Sequence, residues 1–187
     1  MAGFFSLSVI ADEGMWLPQL LKTMNESDMQ AHGLQMTAED LYSVNNSSLK
    51  DAIVSLGGFC TAEMISSEGL MLTNHHCAFG SIQEHSSVSN DYIKDGFWAM
   101  SRDEELVNEG LTASFLVSIE EVTARVLAEL TDDMTEKERS AKIREISKTI
   151  VDEKTEDTHY NARVKSFFGG NDFYIMTYET FKDVRLV

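Results

Sequence analysis

A mostly β fold with peripheral helices is predicted by three features of the sequence. The short apolar runs Ala52-Ile53-Val54-Ser55-Leu56, Ala62-Glu63-Met64-Ile65 and Leu70-Met71-Leu72-Thr73 follow one another, broken by Gly57-Gly58 and by Ser66-Ser67-Glu68-Gly69. That spacing reads as a β-meander. Residues 161–168 and 173–181 flank Gly169-Gly170-Asn171-Asp172, as a hairpin with a four-residue turn would. Against these, Thr135 with Glu138 makes a capping box for a helix running to about Glu153, with Ile143, Ile146 and Ile150 on one face.

The remaining elements follow in chain order. Residues 16–31 carry Leu17, Leu20, Leu21, Met24 and Met29 at roughly helical spacing, and His32-Gly33 is a stop signal. Thr37 and Asp40 form a weaker capping box that opens a helical turn over 38–43. Residues 77–85 suit another helical turn, and 91–98 gather Tyr92, Phe97 and Trp98 into an aromatic cluster. Residues 111–117 and 120–126, rich in β-branched side chains, read as strands. Val184-Arg185-Leu186-Val187 alternates apolar and polar residues and then stops, so the chain is expected to be cut in mid-strand.

Composition excludes several classes. At 187 residues with 43% apolar side chains, the chain can bury the core of one domain or slightly more. Fifteen basic against thirty-one acidic residues give a net charge of −16 with no basic cluster, which argues against a nucleic-acid partner. No stretch is long and apolar enough for a membrane span. Residues 1–11 contain Phe4-Phe5-Ser6-Leu7-Ser8-Val9-Ile10-Ala11, with a small residue before Asp12 that suits signal cleavage, and are expected to be a remnant signal peptide. The two cysteines, Cys60 and Cys77, permit a single bridge, which export would favour.

The chemistry concentrates in Thr73-Asn74-His75-His76-Cys77, just past the last strand of the meander. A bridge from Cys77 back to Cys60 would pin this segment to the sheet, and a pinned imidazole is what a general base acting on a serine requires. His76 is the candidate base. His32, His75, His85 and His159 read as structural or surface side chains. A metal site built from Cys60, His75, His76 and Cys77 fits poorly, because three consecutive ligands do not fold around a tetrahedron. The Asn-x-Ser triplets at Asn25, Asn45 and Asn46 read as chance. No Gly-x-Ser-Gly nucleophile segment follows His76, and no acid is marked out by its setting.

These residues resemble a known group, the bacterial dipeptidyl-peptidases 7 and 11, which are serine exopeptidases with a chymotrypsin-like catalytic domain. The resemblance lies in Ala11-Asp12-Glu13-Gly14-Met15-Trp16-Leu17-Pro18, in residues 41–54 from Leu41-Tyr42-Ser43-Val44 to Asp51-Ala52-Ile53-Val54, and in Thr73-Asn74-His75-His76-Cys77. It continues through His85-Ser86-Ser87-Val88 and Asp95-Gly96-Phe97-Trp98-Ala99-Met100. The resemblance implies part of a chymotrypsin-like double β-barrel peptidase domain, truncated, with 12–187 as its N-terminal portion and a helical insert and second barrel outside the chain. It assigns the catalytic histidine to His76, directly before the cysteine, and places the catalytic aspartate and serine beyond Val187. It further implies release of dipeptides from the free N-terminus of peptides, in the bacterial periplasm or at the cell surface, with no cofactor or metal. A homodimer of the full-length enzyme is one assembly it allows. The rival readings are a trypsin-like endopeptidase and a non-catalytic binding module that kept the fold.

Overall fold

Pro18 opens the first helical turn, because its fixed φ and missing N–H suit that position. The computed structural model describes residues 16–187, so the expected signal remnant, 1–11, lies outside them. A 3-10 turn over Pro18–Leu20 leads into α1 (Leu21–Met24) and, after a break at Asn25, α2 (Glu26–Ala31). Gly33, at φ 105°, ends the run as the sequence predicts. Thr37 and Asp40 bond reciprocally, backbone to side chain at 2.8 and 3.2 Å, and open α3 (Ala38–Leu41).

The meander forms as β1 (Ile53–Leu56), β2 (Cys60–Met64) and β3 (Met71–Thr73), all antiparallel. Its first turn needs glycine at 57. The φ there is +59°, and a Cβ would lie 2.2 Å from the Phe59 ring. Next come α4 (His75–His85), α5 (Tyr92–Asp95), the short β4 (Leu106–Val107) and β5 (Ala113–Glu121). Then α6 (Thr123–Leu127), α7 (Glu136–Thr155), β6 (Asn161–Phe167), β7 (Asp172–Phe181) and β8 (Arg185–Leu186) complete the chain. The sheet order is β3-β2-β1-β5-β7-β6, with β4 and β8 paired as a separate ribbon. The sheet is therefore open among the described residues, its end strands β3 and β6 unpaired with each other, and no closed barrel forms.

The expectations for residues 120–126 and for Trp98 need correction. Residues 120–126 are not a strand: β5 runs on to Glu121, and α6 takes over at Thr123. There Thr123 uses its side chain where a strand would use its backbone, bonding to both the N–H and the C=O of Phe173. Trp98 does not join the aromatic cluster. Tyr92 and Phe97 meet edge-on at 4.9 Å, whereas Trp98 is 80% exposed.

β7 organises the core. Its successive residues Phe173, Tyr174 and Ile175 are all buried, although neighbouring strand residues point to opposite faces, so both faces of this strand are covered. On one side α6 and α7 bring Val126, Ile146 and Ile150 against Phe173 and Ile175. On the other, Leu17, Tyr42 and Ile119 pack around Tyr174. A third cluster, Val54, Leu56, Ala62, Ala113 and Val184, joins the meander to β5 and to the residue before β8.

Tyr42 does more than fill space. β1 pairs with β5 only at residues 113–115, and β5 bulges between Leu116 and Ser118, so the N–H of Ile119 faces no strand on that side. It donates instead to the Tyr42 hydroxyl, 3.0 Å away and buried. Burial pushes the Tyr42 phenol pKa up, keeping the ring neutral. Replacing Tyr42 with Phe keeps the ring and orphans that N–H, which should lower stability by about 1–3 kcal/mol in urea denaturation. An unchanged midpoint would show that Ile119 finds another acceptor.

Candidate active site

The histidine motif sits where β3 turns into α4. Asn74 has extended dihedrals (φ −71°, ψ 144°) and occupies the N-cap, so His75 and His76 are the first two residues of the helix, not members of a loop. This differs from the sequence expectation, in which the helical turn began at Cys77. Helix initiation explains the shift, since the Cys77 N–H donates to the Asn74 carbonyl at 2.9 Å and draws both histidines into the first turn.

Two contacts fasten this turn to β2. Cys60 and Cys77 are joined by a disulfide, with Cα atoms 6.1 Å apart. Thr73, the last residue of β3, donates its hydroxyl to the carbonyl of Thr61 at 2.8 Å. Cys60 and Thr61 are consecutive, so adjacent positions of β2 grip the chain on either side of His76. The far end of α4 is tied as well: His85 Nε2 lies 3.1 Å from Asn108 Oδ1, and the buried Asn108 donates its backbone N–H to the Val184 carbonyl at 2.9 Å. A helix held at both ends gives its side chains little freedom to drift.

The two histidines then diverge. Consecutive residues of a helix point about 100° apart. His75 packs edge-on against Phe79, centroids 5.8 Å apart, as expected for a surface side chain. His76 is exposed, with a ring nitrogen that lies, like the sulfurs of Cys60 and Cys77, within a group spanning no more than 4.8 Å. Both sulfurs are spent on the disulfide, so the trio offers a cation only an imidazole nitrogen in this oxidised state. Among the described residues, no carboxylate or hydroxyl is hydrogen-bonded to the His76 ring.

Open grooves lie elsewhere. The larger, of about 490 Å³, is lined by Asn45, Asn46, Lys50, Phe115, Glu179 and Phe181 among others. A smaller one of about 180 Å³ runs past Cys60, Thr61, Ser114 and Tyr178. Neither includes His76, whose side chain is exposed.

Sequence reasoning missed two of the residues that hold this corner. Thr73 lay inside the quoted motif, and only its place at a strand end opposite β2 gives its hydroxyl a task. Asn108 carries no signal at all, because its partners, His85 and Val184, are remote in the chain.

Losing the bridge in a Cys60→Ala/Cys77→Ala variant should cost about 2–4 kcal/mol, given the 17-residue separation it closes. Thr73→Val should cost less, about 0.5–1.5 kcal/mol. Chemical denaturation measures both, and a peptide map without reductant should recover Cys60 joined to Cys77. Two free thiols, or a double variant as stable as the parent, would contradict this picture of the clamp.

Comparison with known proteins places these features. The chain matches the Peptidase S46 family over residues 11–187. It is 48% identical over 174 residues to an Asp/Glu-specific dipeptidyl-peptidase of Flavobacterium psychrophilum, covering 93% of this chain and 24% of the relative. Against a dipeptidyl-peptidase 7 of Capnocytophaga gingivalis it is 46% identical over 190 residues, covering 100% and 27%. The crystal structure of Porphyromonas endodontalis DPP11 superposes with a TM-score of 0.81 at 40% identity, covering 95% of this chain and 26% of that one. A structure of the same protein in complex with the dipeptide Arg-Glu superposes with a TM-score of 0.79 at 41% identity, covering 94% and 27%. The chain thus spans about a quarter of the length of the curated relatives it matches. With the match running from residue 11 to the last residue, and a mostly antiparallel sheet that superposes on a solved relative, the chain belongs to the Peptidase S46 family.

Proposed function

We propose that this chain supplies the general base of a serine-type dipeptidyl aminopeptidase, and that the base is His76. The observation that carries the reading is the fastening of α4's first turn to consecutive residues of β2, which fixes the backbone that presents an exposed imidazole beside a disulfide. A base must keep within about 3 Å of the proton it removes, and such anchoring meets that need.

In this reading His76 accepts the proton of a serine hydroxyl as its Oγ attacks the scissile carbonyl. The imidazolium then gives that proton to the departing amine, leaving an acyl-enzyme. Water, deprotonated by the same imidazole, attacks the ester carbonyl and frees the dipeptide. The serine and the carboxylate that orients the ring lie outside residues 1–187, a placement supported by the quarter-length coverage of the relatives and by the lack of either partner at His76 among the described residues. Dipeptide release from free N-termini is supported by relatives named dipeptidyl-peptidase. Location in the periplasm or at the cell surface is supported by the disulfide, which persists in oxidising compartments, and by the apolar start of the sequence.

In the full-length protein, His76→Ala should leave less than about a hundredth of the peptidase activity, while His75→Ala leaves it largely intact. Higher residual activity in the first variant would remove His76 from the base role. Peptides with an acetylated N-terminus should resist cleavage; their hydrolysis at internal bonds would favour the endopeptidase reading.

A further inference from the structure

The corner that holds His76 also contains the donor set of a soft-metal site, locked while the disulfide is intact. We propose that reduction of the Cys60–Cys77 bridge opens a site for one zinc-like divalent cation, held by both sulfurs and an imidazole nitrogen of His76. One ligand atom from each of these residues already lies within 4.8 Å of the other two. A tetrahedral zinc with bonds of about 2.3 Å to sulfur and 2.0–2.1 Å to nitrogen sets its ligand atoms roughly 3.5–3.8 Å apart. The sulfurs must separate and the ring must close in, movements on the scale of a rotamer change. The Cα atoms of the cysteines, 6.1 Å apart, leave room for a cation between their side chains.

Contacts other than the bridge also hold this spacing. Cys60 stays in β2 through its pairing with Leu56, and β3 stays on β2 through the register Ala62 to Thr73 and the Thr73 hydroxyl bond to Thr61. The objection to three consecutive ligands does not apply to this set, because His75 takes no part and only His76 and Cys77 adjoin. The His75 ring packs edge-on against Phe79, and the third ligand, Cys60, comes from β2 and not from α4. Two thiolates and an imidazole are a soft set that selects zinc or cobalt over calcium or magnesium. Three protein ligands leave the fourth position to water.

The chemistry balances. A dithiol reductant gives two electrons and two protons to the bridge and is itself oxidised to a disulfide, leaving two thiols in the protein. The divalent cation displaces both thiol protons, and the lone pair of the neutral imidazole completes the protein ligands. That lone pair can then no longer accept a proton. The bridge therefore has a second role besides fixing the turn, which is to keep two thiolates away from the imidazole. The metal site stands on geometry alone; only its consequence for catalysis rests on the function proposed above.

The test is titration with cobalt(II) after reduction with dithiol and anaerobic desalting, followed by absorbance. The reduced protein should bind about one cobalt per chain with a thiolate-to-cobalt charge-transfer band, which zinc then abolishes. Air-oxidised protein should show no such band. Reduced His76→Ala should bind at least about tenfold more weakly, since losing a ligand costs more than the 10–100-fold lost with a ligand's supporting partner. His75→Ala should bind like the parent. Absence of the band in reduced protein would overturn the proposal, and so would a His76→Ala variant that binds as tightly as the parent, which is the outcome if reduction merely unfolds the chain. A negative result leaves the activity loss of His76→Ala untouched, so the two readings fail separately.

Discussion

The grip of β2 on the junction between β3 and α4 is the constraint on which the candidate site depends. A histidine at a helix start is ordinarily at liberty to fray with its first turn, where four N–H groups lack helical partners. Here Thr61 and Cys60, consecutive on β2, hold Thr73 before the histidine and Cys77 after it. One hold is a hydrogen bond and the other covalent, so the turn is fixed in translation and in rotation.

That grip is only as firm as the strand that applies it. β2 lies one place from the edge of the sheet, between β3 and β1, and β1 in turn leans on β5. The stiffness comes from further in, where β7 is packed on both faces by α6 and α7 on one side and by the N-terminal segment on the other. Tyr42 links these layers, because its hydroxyl serves the backbone of β5 at the point where β1 no longer can. The Val54, Leu56 and Ala62 cluster then carries the rigidity to the meander. Paired backbone on a packed core is how a sheet turns burial into positional precision at its margin.

Much of this was legible in the sequence wherever one local rule decided the outcome. The meander, the 161–181 hairpin and the capping boxes at Thr37 and Thr135 formed as their residues demand, since turn glycines and reciprocal caps act over a few positions. Residues 120–126 misled because Val122, Thr123 and Val126 have β-branched side chains, yet Val126 has a buried place under α7 that a helix reaches and a strand would not. Trp98 misled in another way: aromatic residues near one another in sequence need not meet. At the site, adjacency to a cysteine singled out His76, while the Asn108 support for α4 depended on contacts that no local pattern encodes. A mostly antiparallel sheet was foreseen, whereas its open form became visible only when β3 and β6 were seen to end it.

Seen this way, the chain contributes a prepared imidazole, and the chemistry proposed for it needs a nucleophile delivered to that imidazole. Neither of the two grooves described above reaches His76. The most direct measurement is a crystal structure of the full-length peptidase with a phosphonate bonded to its serine Oγ. The account predicts a ring nitrogen of His76 within about 3 Å of that oxygen, with Thr73 still bonded to Thr61 and the bridge intact. A different histidine at that distance, or a His76 ring turned away from the serine, would contradict it.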